Sequence, residues 1–388
     1  MRKALLPLAA SVSILISGCN DDNTNNSQLD ATNATVVSTN ASDYTSGAHA
    51  IINRDDHQDV ALSQVPTVSD LTLVTHGEYI YRIERFGADN VTKFHIDSPS
   101  TAQWQYSTLD TSDNSSGNPH DLVFIDESTA VLLRYGKATA WVVDPSSTIE
   151  ANFKTAELDL TAYDDGDGAP EASRGLIVDG KLFIIMQRQT RNPHPAPWAP
   201  GQAYVAVFDT TTMTEIDTGH AGDSLNGIPL TIQNPRNIIH NEITGLIYVQ
   251  GLSYSANTYT GGIETINPTS YANNLLVDDN SILNGGIDKI SSVAVLSADK
   301  GYLVSYEGWG DNSLYSFNPT TGVVDSTAID QSLAHIAIDD IAIDGNGQLW
   351  ISNQTLIGMT VIDTADDSVV ESIINTDLNP GRISFISK

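Results

Sequence analysis

Runs of four to six residues along most of the chain alternate between apolar and polar positions, and short polar turns separate these runs. Such alternation is typical of β-strands whose two faces differ in polarity. Residues 340–373 are an example, with the runs DIAI (340–343), QLWIS (348–352), MTVI (359–362) and VVESI (369–373). No stretch of useful length has the 3.6-residue period of an amphipathic helix. The pattern therefore predicts units of four antiparallel strands.

One feature recurs seven times: an apolar strand that ends in Asp or Asn and is usually followed by a turn residue. The seven positions are Asn53, Asp97, Asp144, Asp209, Asn267, Asn318 and Asp363, spaced 44–65 residues apart. An Asp or Asn side chain can fold back onto the backbone two residues on, which predicts a tight turn at each position. Four-stranded antiparallel units at this spacing are typical of β-propeller blades.

The two ends of the chain predict how this propeller closes. Counting from residue 66 gives six complete units and a leftover strand, RISFIS, at 382–387. Residues 34–63 supply three strands that lack a first one, so the two ends together complete a seventh blade without a free edge. We predict an all-β, seven-bladed propeller over residues 34–388. Six blades with residues 34–63 as a loose arm is the alternative.

The N-terminal segment has the pattern of a signal for export. Two cations precede an apolar run at 4–16 that is too short to span a bilayer as a stable anchor. The run ends in ISGC (16–19), which resembles the lipobox of bacterial lipoproteins. The resemblance implies that residues 1–18 are removed and that Cys19 is acylated. Residues 19–33 would then be a polar, flexible tether, and an ordinary secretory signal with a chance cysteine is the alternative.

The formal charge of −30, from 48 acidic and 18 basic residues, limits the partners that we expect. A surface of this charge repels nucleic acid and anionic lipid headgroups. We therefore expect no nucleic-acid partner and contact with a membrane only through the lipid anchor. Cys19 is the only cysteine in the sequence, so no intrachain disulfide can form.

The blade pattern resembles the seven-bladed YVTN-type propellers, whose blades also carry an apolar strand that ends in V-[apolar]-D-[TP]. This resemblance covers residues 34–388 and implies a fold, not a chemistry. Lipobox-anchored propellers are also similar to surface lipoproteins that capture cobalamin or iron chelates for TonB-dependent transporters. By that analogy we expect the protein at the bacterial outer membrane, with such a transporter as a partner.

Positive charge is concentrated on one predicted face. In a propeller, the loops after second strands and the connections between blades open on the same face. Of the 16 cations that follow the signal segment, eight fall there, namely Arg85, Arg134, Lys137, Arg188, Arg191, Arg236, Lys289 and Arg382. Because a guanidinium matches carboxylate and phosphate groups, we expect a site for a small anionic or metal-chelate ligand. Structural salt bridges with nearby Asp or Glu are the alternative.

The candidate ligand contacts combine these cations with aromatic and polar neighbours. They are Arg85, His120, Arg134, Tyr135, Arg188, Arg191, Trp198, Arg236, Tyr254, Glu307, Trp309 and Arg382. Arg134, Arg188 and Arg382 are the expected anchors, because they lie at strand ends or blade entries. Long loops at 190–203 and 253–262 carry Trp198 and Tyr254. Four prolines stiffen the first loop, which suits a lid or contact residue, although Trp198 packed on the neighbouring blade is equally compatible.

Enzyme motifs are mostly absent: the sequence has no G-x-S-x-G elbow, no H-E-x-x-H, no P-loop and no dinucleotide fingerprint. Residues 163–168 (YDDGDG) partly resemble a calcium loop but lack the distal glutamate, and a plain turn is the alternative for Asp165 and Asp167. We predict a binding protein without a cofactor. There are two rival hypotheses. One is a lactonase or other hydrolase with a metal in the channel, and the other is a protein-interaction scaffold.

Overall fold

The computed structural model describes residues 33–190, 199–220, 222, 224–253, 258–280 and 286–386. This part of the chain is almost entirely β-strand. Its helical segments are 3-10 turns at Glu150–Asn152, Thr161–Tyr163 and Gln331–Leu333. In the same residues, no helix has the length and apolar character that crossing a membrane requires.

Seven antiparallel sheets form the blades of a β-propeller. The strands in chain order are β1 (Ala34–Asn40), β2 (Gly47–Asn53), β3 (Val60–Thr67), β4 (Leu71–His76), β5 (Tyr79–Glu84), β6 (Asn90–His95), β7 (Ser98–Ser107), β8 (Pro119–Asp126), β9 (Thr129–Arg134), β10 (Thr139–Val143), β11 (Lys154–Asp159), β12 (Ala172–Val178), β13 (Lys181–Met186), β14 (Gln189–Thr190), β15 (Ala199–Pro200), β16 (Tyr204–Asp209), β17 (Ile228–Pro229), β18 (Pro235–Asn241), β19 (Leu246–Gly251), β20 (Gly262–Ile266), β21 (Asn273–Asp278), β22 (Lys289–Val295), β23 (Gly301–Gly308), β24 (Asp311–Phe317), β25 (Ile338–Ile343), β26 (Gln348–Asn353), β27 (Gly358–Asp363), β28 (Val369–Asn375) and β29 (Asn379–Phe385).

The blades follow the chain. Blades 1 and 2 are β4–β7 and β8–β11, blade 3 is β12, β13, β16 and β17, and blades 4, 5 and 6 are β18–β21, β22–β24 and β25–β28. Blade 7 is β29 with β1, β2 and β3. The first strands contact one another in a closed ring around the channel, in the order β4, β8, β12, β18, β22, β25, β29 and back to β4. We call the face with the blade-to-blade connections the upper face and its opposite the lower face.

The seventh blade confirms closure by both ends of the chain. β29 pairs antiparallel with β1, and Val37 lies opposite Ile383. The pair β1–β2 and the pair β2–β3 complete the sheet. The alternative of six blades with a loose N-terminal arm is therefore wrong. Because β29 is an inner strand, both ends of the chain also contribute to the channel wall.

The repeated Asp or Asn lies at the turn after the third strand of each blade. At six of the seven positions its Oδ1 atom accepts a hydrogen bond of 2.8–3.0 Å from the backbone N–H two residues on. Asp97 is the exception, because its own N–H donates to His95 Nδ1 at 3.1 Å. The predicted turn chemistry is thus confirmed, and it explains why the recurrence marks the blades.

The hydrophobic core lies between the faces of adjacent blades. Tyr81 of blade 1, for example, belongs to one buried cluster with Leu122 and Leu132 of blade 2. Val37 of blade 7 likewise shares a cluster with Trp350 of blade 6. Burial of apolar surface on both sides of each sheet holds neighbouring blades together, which makes the ring rigid.

Blade 5 differs from the sequence prediction in one detail. The sequence pattern predicts four strands in every blade, but blade 5 has three, and residues 323–327 join it only through a bridge between Phe317 and Val324. Gly322 at φ +74° and the exposed Val323 immediately precede the bridge. Because an edge segment has a neighbour on one side only, few contacts enforce regular pairing there.

Candidate functional site

The inner strands carry β-bulges where they enter the channel from the upper face. In six blades the first strand has one residue more than its partner near its start. The residues at these bulges are His120, Ser173, Arg236, Ser291, Asp339 and Gly381. A bulge re-aims side chains and ends regular pairing, so the six blades present a ring of residues to the channel.

All six bulge residues line one cavity of about 860 Å³ that opens on the upper face, which we call the upper cavity. A second cavity of about 250 Å³ lies beside it along the channel. Arg174, Asn237, Asp340 and Arg382 line both cavities and so separate them. The volume of the upper cavity lies in the range of pockets that hold small-molecule ligands.

Four arginines line the upper cavity and differ in their partners. Arg85 is ion-paired with Asp70, with Nε and Nη2 lying 2.7 and 2.6 Å from Oδ1. Arg174 donates from Nη1 to Asn237 Oδ1 at 2.7 Å. The side chains of Arg236 and Arg382 make no hydrogen bond or ion pair with the described residues. Their guanidinium groups are therefore available to a ligand.

Three aspartates share the cavity wall with these arginines. One of them, Asp70, is the partner of Arg85. Asp340 accepts a hydrogen bond of 3.1 Å from the backbone N–H of Ile383, and burial raises its pKa to about 6 although nearby Arg174 acts in the opposite direction. Asp339 lines the cavity and is exposed to its open space.

An aromatic pair and an amide network form the wall at blades 2 to 4. The His120 ring stacks on Tyr135 with 4.2 Å between ring centroids. Tyr135 donates to Gln187 Oε1 at 2.7 Å, and the Nε2 group of Gln189 donates to the same oxygen at 3.1 Å. Burial, and then the charges of nearby arginines, hold the pKa of His120 well below its usual range. The imidazole is therefore neutral at neutral pH and can donate or accept one hydrogen bond.

The structure brings six of the predicted ligand contacts together on the upper cavity, namely Arg85, His120, Tyr135, Arg236, Trp309 and Arg382. Trp309 is 83% exposed at the tip of the β23–β24 hairpin. Arg191, Trp198 and Tyr254 lie outside the described residues, as does Cys19. The contacts of those four residues therefore stay predictions.

Three predicted contacts lie outside the lining of the cavity. Arg134 is buried, ion-paired with Asp113 and stacked over Trp141 at 4.4 Å from the ring centroid. Arg188 donates to the backbone oxygens of Tyr163 and Gln202. For these two expected anchors, contacts within the protein replace the expected exposure to a ligand.

Glu307 is the third of these residues, and it lies near the rim. Its Oε2 atom is 3.7 Å from the Nδ1 atom of His335, which also lies 2.9 Å from Asp311 Oδ1. These three side chains form one cluster of potential metal ligands. Asp164, Asp165 and Asp167 form another, in the loop with the partial calcium motif. Neither cluster lies on the lining of the upper cavity.

Sequence reasoning missed Arg174 and Asp339. Both lie inside first strands rather than at loop positions, and a bulge determines which side chains reach the channel. Alternation of period two cannot locate an inserted residue. A polar pair recurs near the start of five of the seven inner strands, as in Ser173–Arg174 and Asp339–Asp340, and this recurrence is the signal that would have found them.

No protein-family model and no curated protein sequence matches the chain. Solved structures do resemble it. A candidate 6-phosphogluconolactonase from Bacteroides fragilis has a TM-score of 0.60 at 14% identity, over 92% of this chain and 98% of the other. A candidate 6-phosphogluconolactonase from Bacteroides uniformis has a TM-score of 0.60 at 11% identity, over 91% and 99%. Apo AztD from Citrobacter koseri has a TM-score of 0.50 at 12% identity, over 91% and 98%.

At such identities the similarity shows a shared β-propeller fold and no shared chemistry. The closer relationship to YVTN-type propellers stays a prediction. Any assignment of function therefore has to rest on the cavity itself.

Proposed function

We propose that the protein is a binding protein that captures a small anionic ligand, or a metal chelate with anionic groups, in the upper cavity. One observation carries this proposal: Arg236 and Arg382 face a cavity of about 860 Å³ without a hydrogen bond or ion pair to any described residue. Arg236 is exposed to the open space of the cavity and Arg382 is half-buried on its wall, so a ligand can reach both guanidinium groups. A ligand carboxylate or phosphate supplies a guanidinium with a partner through two parallel hydrogen bonds.

The charge of the cavity supports an anionic ligand. Four arginines and three aspartates on its lining leave a formal charge of +1, in a chain whose net charge is −30. The pair between Arg85 and Asp70 is already neutral. Because the cleft carries less negative charge than the rest of the protein, an anion is repelled less there than over the remaining surface.

We further propose that acylated Cys19 tethers the protein to the bacterial outer membrane. β1 ends at Asn40 on the upper cavity, so its first residue, Ala34, lies at the lower face. The tether at 19–33 would therefore leave from the lower face and turn the upper cavity away from the membrane surface. That orientation opens the cavity to ligands that arrive from solution, before their transfer to a TonB-dependent transporter as in the analogy.

A hydrolase acting on a sugar lactone is the second candidate function. The place of His120 on the lining favours it, because an imidazole there could take a proton from water near a bound phosphate, whereas its lowered pKa makes it a weak base. Two structures of similar fold are candidate 6-phosphogluconolactonases. Against it, the two clusters of potential metal ligands in the described residues lie off the cavity lining, so a channel metal has no evident site there.

Calorimetric titration with inorganic phosphate, citrate, L-glutamate, 6-phosphogluconate and haem tests the binding proposal. Because Trp309 is exposed on the cavity lining, quenching of tryptophan fluorescence should accompany binding in the upper cavity and vanish in W309F. We expect at least one of the five compounds to bind with this signal. Absence of binding by all five would contradict the proposal.

Hydrolysis of 6-phosphogluconolactone separates the two candidate functions. A binding protein should leave the spontaneous rate of lactone opening unchanged and still bind an anion of the panel. Acceleration of lactone opening by the wild type that is lost in H120A would favour the hydrolase instead.

A further inference from the structure

Asp339 holds the same position in blade 6 as Arg236 holds in blade 4. Each lies in the bulge of an inner strand, directly after the residue that pairs before the bulge (Pro235 or Ile338), and each lines the upper cavity. The bulge therefore aims a carboxylate at the ligand space by the same backbone device that aims the guanidinium of Arg236.

The carboxylate of Asp339 accepts no hydrogen bond from the described residues, and no described cation lies within ion-pair distance of it. Two other inner-strand aspartates contrast with it. Asp340 accepts from Ile383 N at 3.1 Å and Ser292 Oγ at 3.3 Å, and Asp121 accepts from Gly175 N at 3.0 Å. Those two carboxylates hold the backbone of adjacent blades, whereas Asp339 is left with its hydrogen-bonding capacity unused.

Charge is distributed unevenly around the cavity. Arg85, Arg174 and Arg236 lie on blades 1, 3 and 4, and Asp339 lies on blade 6. Arg174 is three blades from Asp339 in a ring of seven, and so lies nearly opposite it across the channel. All three arginines favour the charged form of Asp339, Arg236 most strongly, although none of them lies within ion-pair distance of it. Among the described lining residues, Asp339 is therefore the carboxylate without a partner, with Arg174 and Arg236 across the cavity and Arg382 on the neighbouring blade 7.

A simple anion fits this arrangement poorly, because it would bring its own charge close to an unpaired carboxylate. We propose that the ligand is dipolar: an anionic group bound by Arg236 and an ammonium or similar cationic donor bound by Asp339, as in an amino acid. This inference rests on the proposed capture of an anionic group in the upper cavity. Asp339 then acts as a specificity residue that admits the dipolar compound and rejects the plain anion.

L-Glutamate and glutarate form a matched pair of probes, because they differ only in the α-ammonium group. Their affinities for the wild type, D339N, R236A and D179N would be measured by calorimetry. Asp179 is exposed in the turn between β12 and β13 on the lower face, so D179N controls for the loss of one negative charge. We expect the wild type and D179N to bind L-glutamate about 10-fold or more tighter than glutarate.

D339N should reverse this preference, with L-glutamate bound about 10-fold more weakly and glutarate bound more tightly than by the wild type. The inference is overturned, and the proposed function kept, if both probes lose affinity in R236A while D339N strengthens both. The inference alone is also overturned if neither probe binds the wild type at millimolar concentration while another anion of the panel does. It is overturned together with the proposed function if no compound of the panel binds, or if R236A leaves both affinities unchanged.

Discussion

The backbone N–H of Arg382 donates a hydrogen bond of 2.8 Å to the Oγ atom of Ser38, 344 residues earlier in the chain. Both residues line the upper cavity. Gly381 allows this approach, because a Cβ atom there would lie 2.9 Å from the same Oγ atom. The cavity wall at blade 7 is therefore complete only when the two ends of the chain have joined.

Loss of packing in β29 should destabilise the blade that the two ends of the chain form together. Ile383 is 5% exposed and packs between blades 6 and 7, so I383A should lower the free energy of unfolding by about 2–5 kcal/mol. Ile373 on β28 is 37% exposed, and I373A should change the free energy of unfolding by only about 0.5 kcal/mol. Urea unfolding measures both values, and equal effects of the two changes would contradict closure through β29.

A buried ion pair in blade 1 gives a second test of stability. Arg82 Nε lies 2.7 Å from Glu84 Oε1, and both side chains are almost fully buried. E84Q would leave the guanidinium without a counter-charge and should destabilise the protein by about 3–5 kcal/mol. D70N breaks the partly exposed pair with Arg85 and should cost at most about 1 kcal/mol. A thermal melt in which E84Q is no less stable than D70N would refute this ranking.

Asp340 should make stability depend on pH. Its pKa is raised to about 6 by burial, so the folded state holds the proton more tightly than the unfolded state, whose pKa is near 3.8. The stabilisation is complete below about pH 4 and is lost as the pH rises through about 6. Arg174 opposes the shift and Asp339 adds to it, and both face Asp340 in the channel.

The variant D340N isolates this contribution. Relative to D340N, the wild type should lose about 3 kcal/mol of unfolding free energy between pH 4 and pH 7, from a shift of about two pKa units. Urea unfolding of both proteins at several pH values gives the difference. A difference in unfolding free energy that stays constant with pH, or that grows in favour of the wild type as the pH rises, would contradict the predicted contribution of Asp340.

The fold could be predicted from the sequence because each blade repeats the same local chemistry. In six of the seven blades the Asp or Asn after the third strand caps its own turn, so the residue that marks the blade also forms the local structure. Closure could be predicted because a propeller with an incomplete blade at each end has one way to remove both free edges.

Only part of the site could be predicted from the sequence. Arg236 and His120 follow Asn-Pro at blade entries, where the sequence itself shows that a strand begins. The partners of Arg134, by contrast, come from a loop whose path the strand pattern does not describe. Arg174 and Asp339 depend on bulges, which alter the register by one residue and leave no mark in a period of two.

Substitution of Arg236 tests the central claim most directly. The compound of the panel that binds the wild type most tightly should bind R236A about 10–100-fold more weakly, because one charge-assisted contact is lost. K181A removes a cation at the start of β13 on the lower face and should leave the affinity unchanged. Equal weakening by R236A and K181A, or none by either, would contradict capture of an anionic ligand in the upper cavity.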